Sequence, residues 1–395
     1  MAASPGVDPA GVAGPAPGTD PSRGTSPSGG SDASAGWLTS RWDRLNGRQR
    51  VAGVDLARGL AVIGMVAAHL LWIDDLDFAH AATWVAVVDG RSSILFATLA
   101  GVSIGLVTGG RQPLPPPELR LARGRLVVRA ALLWVLGVFL IATGVPVFVI
   151  LPAYAILFLL ALPLVSLRAR TLFLLATGLA LVMPFVQPVL DHLPIWSTQS
   201  GQLLAAVIGW HYPFPVWIAF VVAGLGVARA GILSLRVQLW TLGAGALLAT
   251  AGYGVHAGTR GDAVQSSISY WDEVWTAEPH SSGLLEVIGS GGFALATIGL
   301  CLLLCRTLLT WVVLPLRAVG AMPLTAYTAQ LVIWAIAATV ILGNPGDLPG
   351  FRDLEPFWPI TEVLVIACTV WALLIGRGPL EWLLDRVARL AVRPG

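Results

Sequence analysis

Ten long apolar runs, separated by short polar turns, constrain this chain more than any other feature. A segment needs about 20 mostly apolar residues to cross the roughly 30 Å hydrocarbon core of a bilayer. The predicted spans lie near residues 51–73, 84–107, 125–144, 146–166, 171–190, 212–229, 236–255, 283–305, 318–342 and 358–376. The sequence therefore predicts an all-α, polytopic integral membrane protein with ten transmembrane helices.

Composition supports this fold class. Hydrophobic residues make up 56% of the chain and charged residues 12%, whereas charged residues make up about 25% of a typical soluble protein. A soluble fold cannot bury that much apolar surface, so the lipid bilayer is the expected solvent for most of the chain. No nucleic-acid partner is expected.

The positions of the arginines set the predicted orientation. All 24 basic residues are arginine, and the cytoplasmic loops of membrane proteins carry an excess of basic residues. With both termini inside, cytoplasmic segments hold twenty arginines and external loops hold Arg260 and Arg352, while Arg58 and Arg91 lie within or beside spans. We therefore predict that both termini are cytoplasmic.

The two ends of the chain differ from the predicted transmembrane domain at 51–376. Residues 1–36 are rich in Ala, Gly, Pro, Ser and Thr, a composition typical of disorder. Residues 37–50 carry four arginines and two tryptophans, which predicts a basic anchor beside the membrane. Residues 377–395 alternate apolar and basic side chains at helical spacing, which predicts an amphipathic helix on the cytoplasmic face.

The first span carries charged residues that need a partner or a use, since each costs about 2.5–3.5 kcal/mol at mid-membrane. Asp55 and Arg58 are three residues apart and share a helix face. His69 follows Arg58 by eleven residues, which places it about 16 Å further along the same face. A neutral imidazole is the usual general base, so His69 is a candidate base. A structural ion pair and an interfacial histidine are the alternative interpretations.

Other polar residues mark further candidate positions. Asp89 and Arg91 lie just inside the second predicted span, where they form either a buried pair or a substrate clamp. Glu286 lies inside the start of the eighth span, where an acid is costly unless it faces a cavity. Tyr327 and Gln330 on the ninth span line a cavity or join helices by hydrogen bonds. No spacing typical of a metal site occurs, so neither a metal nor a permanently bound cofactor is predicted.

The longest external loop, residues 256–283, is a further candidate region. It combines three aromatic residues and four acids with His280. Aromatic and acidic groups together suit a sugar-like or polyol ligand, and a plain solvated loop is the alternative.

Three segments resemble known membrane families. In DLARGLAVIGMVAAH, Arg58 and His69 reproduce the Arg-x10-His motif of the acyltransferase-3 family. Residues 51–106, with DLARGL, HAATW and LAGVSIG, resemble the catalytic domain of heparan-α-glucosaminide N-acetyltransferases. The active histidine of that family lies in the first external loop, where His80 is the nearest match, although one residue is inserted before Trp84. The segment from PLRAVGAMPLTAYTAQ to GRGPLEWLL is similar to DUF418 membrane proteins.

These resemblances imply a bacterial plasma-membrane enzyme. It would move an acyl group, with acetyl as the first candidate, from cytoplasmic acyl-coenzyme A to an external carbohydrate or lipid of the cell envelope. In that scheme Arg58 orients the donor, Asp55 holds Arg58, and His69 acts as the base. Asp89 and Arg91 complete the cavity. His80 and His280 are the reserve candidates for the base.

Two other functions stay open on the residues alone. Polar side chains in the spans also suit a transporter or permease of a small polar solute. A membrane scaffold without catalysis is the third interpretation. Assembly of identical chains is left open by the sequence.

Overall fold

The computed structural model describes residues 50–77, 79–259 and 269–393. Every regular element in these ranges is helical, which confirms the predicted all-α class. The tail predicted at 1–36, all but the last residue of the predicted anchor, and Arg260 lie outside the described residues.

The helices are labelled in chain order. They are α1 (Ala52–Leu70), α2 (Arg91–Val107), α3 (Pro116–Ile141), α4 (Leu151–Ala161), α5 (Ala169–Asp191), α6 (Gln199–Ile208), α7 (Phe214–Gly231), α8 (Leu235–Thr259), α9 (Tyr270–Val274), α10 (Leu284–Leu304), α11 (Leu309–Val312), α12 (Leu314–Ala321), α13 (Pro323–Leu342), α14 (Leu348–Arg352), α15 (Phe357–Leu374) and α16 (Pro379–Ala391). Short 3-10 helices cover Ala81–Val88, Leu162–Ser166 and Pro194–Ser197.

Eight of the described helical segments are long and apolar enough to cross a membrane: α1, the run Ala81–Val107, α3, α5, α7, α10, α13 and α15. The chain is therefore an integral membrane protein. The other two expected spans are also helical. The first is α4 with its 3-10 extension, which is short. The second is α8, whose 25 residues are long enough but include several Gly and Thr residues together with Gln, Tyr and His, which lower its mean hydropathy. The count of ten stays a prediction.

Helix α1 lies inside the bundle and packs against α2, α10, α12, α13 and α15. Its polar residues therefore face protein rather than lipid, which lowers the cost of placing them at membrane depth. Below, the "Arg58 end" and the "His69 end" of the bundle are the two ends that α1 joins.

Two glycines let α2 and α7 approach closely. A methyl group added at Gly101 would overlap the backbone carbonyl of Val221, and one added at Gly224 would overlap that of Thr98. Small residues are enriched at such contacts in membrane proteins because the backbones can then touch. This contact fixes α7, and with it the loop before α7, against α2.

The predicted ninth span is interrupted. Helix α12 ends at Ala321 and α13 begins at Pro323, with Met322 between them in a non-helical conformation (φ −138°, ψ 55°). A proline ring cannot donate a backbone hydrogen bond and clashes with the preceding turn, so a new helix starts there. Residues 377–395, predicted as an amphipathic tail, contribute α16, which packs against α3 and α13.

Candidate functional site

A cavity of about 260 Å³ lies at the His69 end of the bundle. Its polar walls come from separate parts of the chain, since the loops before α2, α7 and α10 meet the end of α1. The polar lining includes His69, Asp89, His211, Tyr212, His280 and Tyr327. Three imidazoles, a carboxylate and two phenols therefore surround one small space.

His280 and Asp89 face each other in this cavity. Nε2 of His280 lies 3.8 Å from Oδ1 of Asp89, and the side chains are 25% and 38% exposed. Nδ1 of His280 is buried and has no hydrogen-bond partner among the described residues. A carboxylate at this distance stabilises a protonated imidazole. The pair is therefore arranged to take a proton from a bound hydroxyl or amine.

Glu286 holds the loop that carries His280. Its carboxylate accepts hydrogen bonds from the backbone N–H of His280 (2.7 Å) and of Ser282 (2.6 Å), and from the hydroxyl of Ser281 (3.2 Å). His280 and Ser282 have φ values of 63° and 57°. Left-handed backbone at non-glycine residues costs about 1–3 kcal/mol and is concentrated at functional sites. Glu286 thus fixes a strained turn that points His280 at Asp89.

His211 and His280 share one electrostatic environment. Their ring centres lie 5.2 Å apart, and the ring of His211 stacks on Phe148 at 3.6 Å. Burial lowers the pKa of His211 to about 4, with a smaller contribution from His280. Burial also lowers the pKa of His280, and Asp89 acts in the opposite direction. Both rings are neutral at pH 7, the form that accepts a proton.

His69 has a different set of neighbours. The side-chain amide nitrogen of Gln330 lies 3.2 Å from Nδ1 of His69, so the amide of Gln330 decides which ring nitrogen carries the proton. Arg352 donates to the backbone carbonyls of His69 (3.1 Å) and Ala68 (3.2 Å) and so caps the carboxyl end of α1. A positive charge therefore stands beside His69, where His280 has a carboxylate.

The Arg58 end holds a second polar group. Nη1 of Arg58 donates to Oδ1 of Asp55 at 3.1 Å, as the spacing of three residues allows, and Nη2 donates to Ser103 at 2.6 Å. Nε of Arg50 lies 3.9 Å from the same carboxylate. The spacing of Arg58 and His69 along α1, about 16 Å by helix rise, keeps this group apart from the cavity.

Other residues predicted from the sequence take different positions. The guanidinium of Arg91 donates to the hydroxyl of Tyr253 (2.7 Å) and to the carbonyl of Ala86 (2.9 Å) rather than to the carboxylate of Asp89. The two side chains therefore do not form the buried pair, and the alternative of a substrate clamp stays a prediction. Residues two apart at a helix start point in different directions, which explains this correction. His80 lies outside the cavity lining: its side chain is 75% exposed and its Nδ1 contacts Asp77 at 2.6 Å. 

Tyr327 lines the cavity, whereas Gln330 lies outside its lining and contacts the lining residue His69. Tyr327 is buried, and its hydroxyl accepts a hydrogen bond from the backbone N–H of Ile150 at 3.4 Å.

The cavity residues that were not predicted from the sequence are His211, Tyr212 and Arg352. His211 and Tyr212 lie at the start of the predicted span 212–229 and directly before α7 in the structure, as His280 lies before α10, so a position at the start of a span is the signal that identifies them. The described residues contain no group of three or more His, Cys, Asp or Glu that could hold a metal ion.

Two protein families match the sequence. The family described as heparan-alpha-glucosaminide N-acetyltransferase, catalytic, matches residues 50–252, about half of the chain. The DUF418 family, described as a protein of unknown function, matches residues 243–391. The predicted resemblances to these two families are thereby confirmed, and the resemblance of the Arg58–His69 segment to the acyltransferase-3 family stays a prediction. A comparison with curated proteins finds no match. The cavity draws on both matched segments, since Asp89 lies in the first and His280 in the second.

Proposed function

Because this chain belongs to the heparan-alpha-glucosaminide N-acetyltransferase catalytic family, we propose that it is a membrane acetyltransferase whose acceptor binds in the cavity at the His69 end. The observation that carries this proposal is the His280–Asp89 pair, a neutral imidazole with a carboxylate beside it, in a cavity open to a small acceptor group. The pair supplies the general base that acyl transfer to a hydroxyl or amine requires.

The proposed reaction is a direct acyl transfer. The oxygen or nitrogen of the acceptor attacks the carbonyl carbon of an acyl thioester, and His280 takes the proton from the attacking atom. Asp89 stabilises the resulting imidazolium. The carbon–sulfur bond breaks, and the coenzyme A thiolate leaves and takes up that proton as a thiol. The acyl carbonyl is held against the acceptor in the cavity, while the phosphates of the donor stay at the Arg58 end about 16 Å away. This positioning supplies much of the rate enhancement.

The neighbours of the two histidines favour His280 over His69 as the base. Asp89 places a negative charge near the ring of His280, whereas Arg352 places a positive charge on the carbonyl of His69. An imidazolium is stabilised by the first and disfavoured by the second. We therefore assign proton transfer to His280 and contact with the acceptor to His69.

The Arg58 end suits the donor, which we take to be acetyl-coenzyme A or another acyl-coenzyme A. Arginine binds phosphate through paired, charge-assisted hydrogen bonds, and Arg50 and Arg58 lie at that end with Asp55 between them. We propose that this end faces the cytoplasm, that both termini lie there, and that ten helices cross a plasma membrane. The acceptor would then be a carbohydrate or lipid on the outer side.

The test compares three histidine variants of the full chain in lipid nanodiscs. Acetyl-coenzyme A consumption and transfer to glucosamine, used as a simple amine and polyol probe, are measured for wild type, His280→Asn, His69→Asn and His80→Asn. His280→Asn is expected to lower kcat by about 100-fold or more, the usual contribution of a general base. His80→Asn is the matched control, because that ring lies outside the cavity lining, and should behave as wild type.

The alternatives give distinct results. Loss of turnover in His69→Asn with full activity in His280→Asn would move the base to His69. Loss in His80→Asn alone would move the reaction out of the cavity. A wild-type protein that binds no acetyl-coenzyme A but moves a polar solute across vesicles would overturn the enzyme proposal in favour of a transporter.

A further inference from the structure

A second cavity, of about 590 Å³, opens on the side of the bundle between α5 and α8. Its floor is formed by the buried side chains of Phe220 on α7 and Val287 on α10. Its rim carries the exposed side chains of Leu181, Trp240 and Leu248. We call this space the lateral groove. It shares no lining residue with the cavity at the His69 end, and its wall on α5 belongs to a helix long and apolar enough to cross a membrane.

The dimensions of the lateral groove match those of a lipid chain. On α8 its lining runs from Arg236 to Leu248, which corresponds to about 18 Å of helix. One leaflet contributes about 15 Å of hydrocarbon thickness. The volume lies within the range of about 300–1,000 Å³ that is usual for ligand sites. A single acyl chain that enters from one leaflet fits this length and this apolar lining.

The groove carries a charge at one end only. Arg236, in the first turn of α8, is its one charged lining residue, and its side chain is exposed. Arg236 makes no hydrogen bond or ion pair with any residue that the structure describes. Arg306 provides a contrast, since it donates to Gln238 (2.5 Å). An unpaired arginine at the mouth of an apolar groove attracts a phosphate-bearing head group.

We propose that the lateral groove binds one acyl chain of an anionic phospholipid from the leaflet at the Arg58 end, with the head-group phosphate on Arg236. The phosphate of the head group supplies the negative charge that no described residue places beside Arg236. The acyl chain covers Phe220 and Val287. This site does not depend on the proposed acetyl transfer, so its test is separate from that of the enzyme.

The test uses photo-crosslinking of the full chain in phosphatidylcholine nanodiscs that contain phosphatidylglycerol with a photoreactive acyl chain. Crosslinked peptides are located by mass spectrometry. Ala244→Trp fills the groove, because Ala244 lines it. Leu247→Trp is the matched control, because Leu247 is exposed on the same helix outside the groove. Arg236→Gln removes the charge at the mouth, and Arg386→Gln removes an exposed arginine elsewhere.

The expected result is labelling of the groove walls on α5 and α8 that is lost in Ala244→Trp and kept in Leu247→Trp. Arg236→Gln should lower labelling by about fivefold, since one interfacial arginine contributes about that factor, and Arg386→Gln should not. Unlabelled phosphatidylglycerol should compete better than phosphatidylcholine. Equal labelling in the two tryptophan variants, each checked for an unchanged thermal unfolding midpoint, would overturn the site. Equal competition by the two lipids would overturn the role of Arg236.

Discussion

The carboxylate of Glu286 binds the backbone N–H of His280 at 2.7 Å, across a turn in which His280 adopts a left-handed conformation. The first turn of α10 thus holds in place a histidine that precedes the helix. The same carboxylate binds Ser282 N–H at 2.6 Å, so two backbone donors depend on one side chain. Glu286 is a positioning residue in this arrangement, because it acts through His280 rather than on the acceptor.

Glu286→Ala is expected to lower both stability and turnover. The substitution removes the acceptor of two backbone N–H groups, and each buried N–H left without an acceptor costs about 1–3 kcal/mol of stability. It also releases His280 from its position beside Asp89. We expect a lower thermal unfolding midpoint and a fall of about tenfold or more in kcat, with little change in KM for the donor. In Glu286→Gln one oxygen remains as an acceptor, so its losses should be smaller.

A double variant separates positioning from general destabilisation. If Glu286 acts through His280, then Glu286→Ala combined with His280→Asn should turn over no more slowly than His280→Asn alone, because groups that act as a unit are not additive. If the fall in turnover of the double variant equals the product of the two single falls, Glu286 affects turnover by a route other than His280.

Asp89→Asn should shift the pH dependence of turnover. Burial lowers the pKa of His280 and Asp89 raises it, so removal of the carboxylate lowers this pKa further. The acid limb of kcat/KM should therefore move to lower pH, while the maximal rate falls because the imidazolium loses its partner. The measurement is a pH profile of acetyl-coenzyme A turnover between pH 5 and 8.

Asp77→Asn is the matched control for this profile. Asp77 contacts His80 at 2.6 Å, but both side chains are exposed and lie outside the cavity lining. Its profile should coincide with that of wild type. An acid limb that moves in Asp77→Asn and stays fixed in Asp89→Asn would assign the titrating group to His80.

Much of the architecture could be predicted from the sequence because the bilayer imposes one dominant rule. Apolar length alone is enough to predict where helices form, because each of the ten predicted spans coincides with a helical segment of the described residues. Spacing within one helix was equally informative, since the contact between Asp55 and Arg58 is local. The count of spans was harder, because hydropathy and length do not determine whether short α4 and the Gly-rich α8 cross the membrane.

The composition of the cavity could not be read in the same way. The contact between His69 and Gln330 joins residues 261 positions apart, and helical periodicity says nothing about which helices become neighbours. His211 and Arg352 were missed for this reason. The buried-pair alternative for Asp89 and Arg91 is wrong because closeness in sequence does not make side chains neighbours, and the helix start turns Arg91 toward Tyr253.

His211 should make stability depend on pH. Its folded pKa of about 4 lies below the ordinary value of 6.5, so the folded state binds fewer protons than the unfolded state between these values. The stabilisation is therefore complete above pH 6.5 and is lost as the pH falls toward 4. Since the ring is partly exposed, we expect at most about 2 kcal/mol from this residue.

The measurement is the thermal unfolding midpoint in detergent from pH 4 to 8. The groups facing His211 are His280, Phe148 and Tyr212, of which His280 is a second imidazole whose pKa burial lowers. His211→Gln should flatten part of the dependence, and His211→Gln combined with His280→Gln should flatten more. A slope unchanged in both variants would assign the acid sensitivity to other groups.

Glu381 should stabilise the start of α13 from a distant helix. Its carboxylate accepts hydrogen bonds from the backbone N–H of Leu324 (2.7 Å) and of Thr325 (3.1 Å), and from the hydroxyl of Thr325 (2.5 Å). It therefore caps α13 although it lies on α16. A lost cap costs about 0.5–2 kcal/mol, so Glu381→Ala should lower the unfolding midpoint and release α16 to proteases. Glu118→Ala removes an exposed first-turn acid of α3 and should do neither, and equal effects of the two variants would show that the contact across helices contributes nothing.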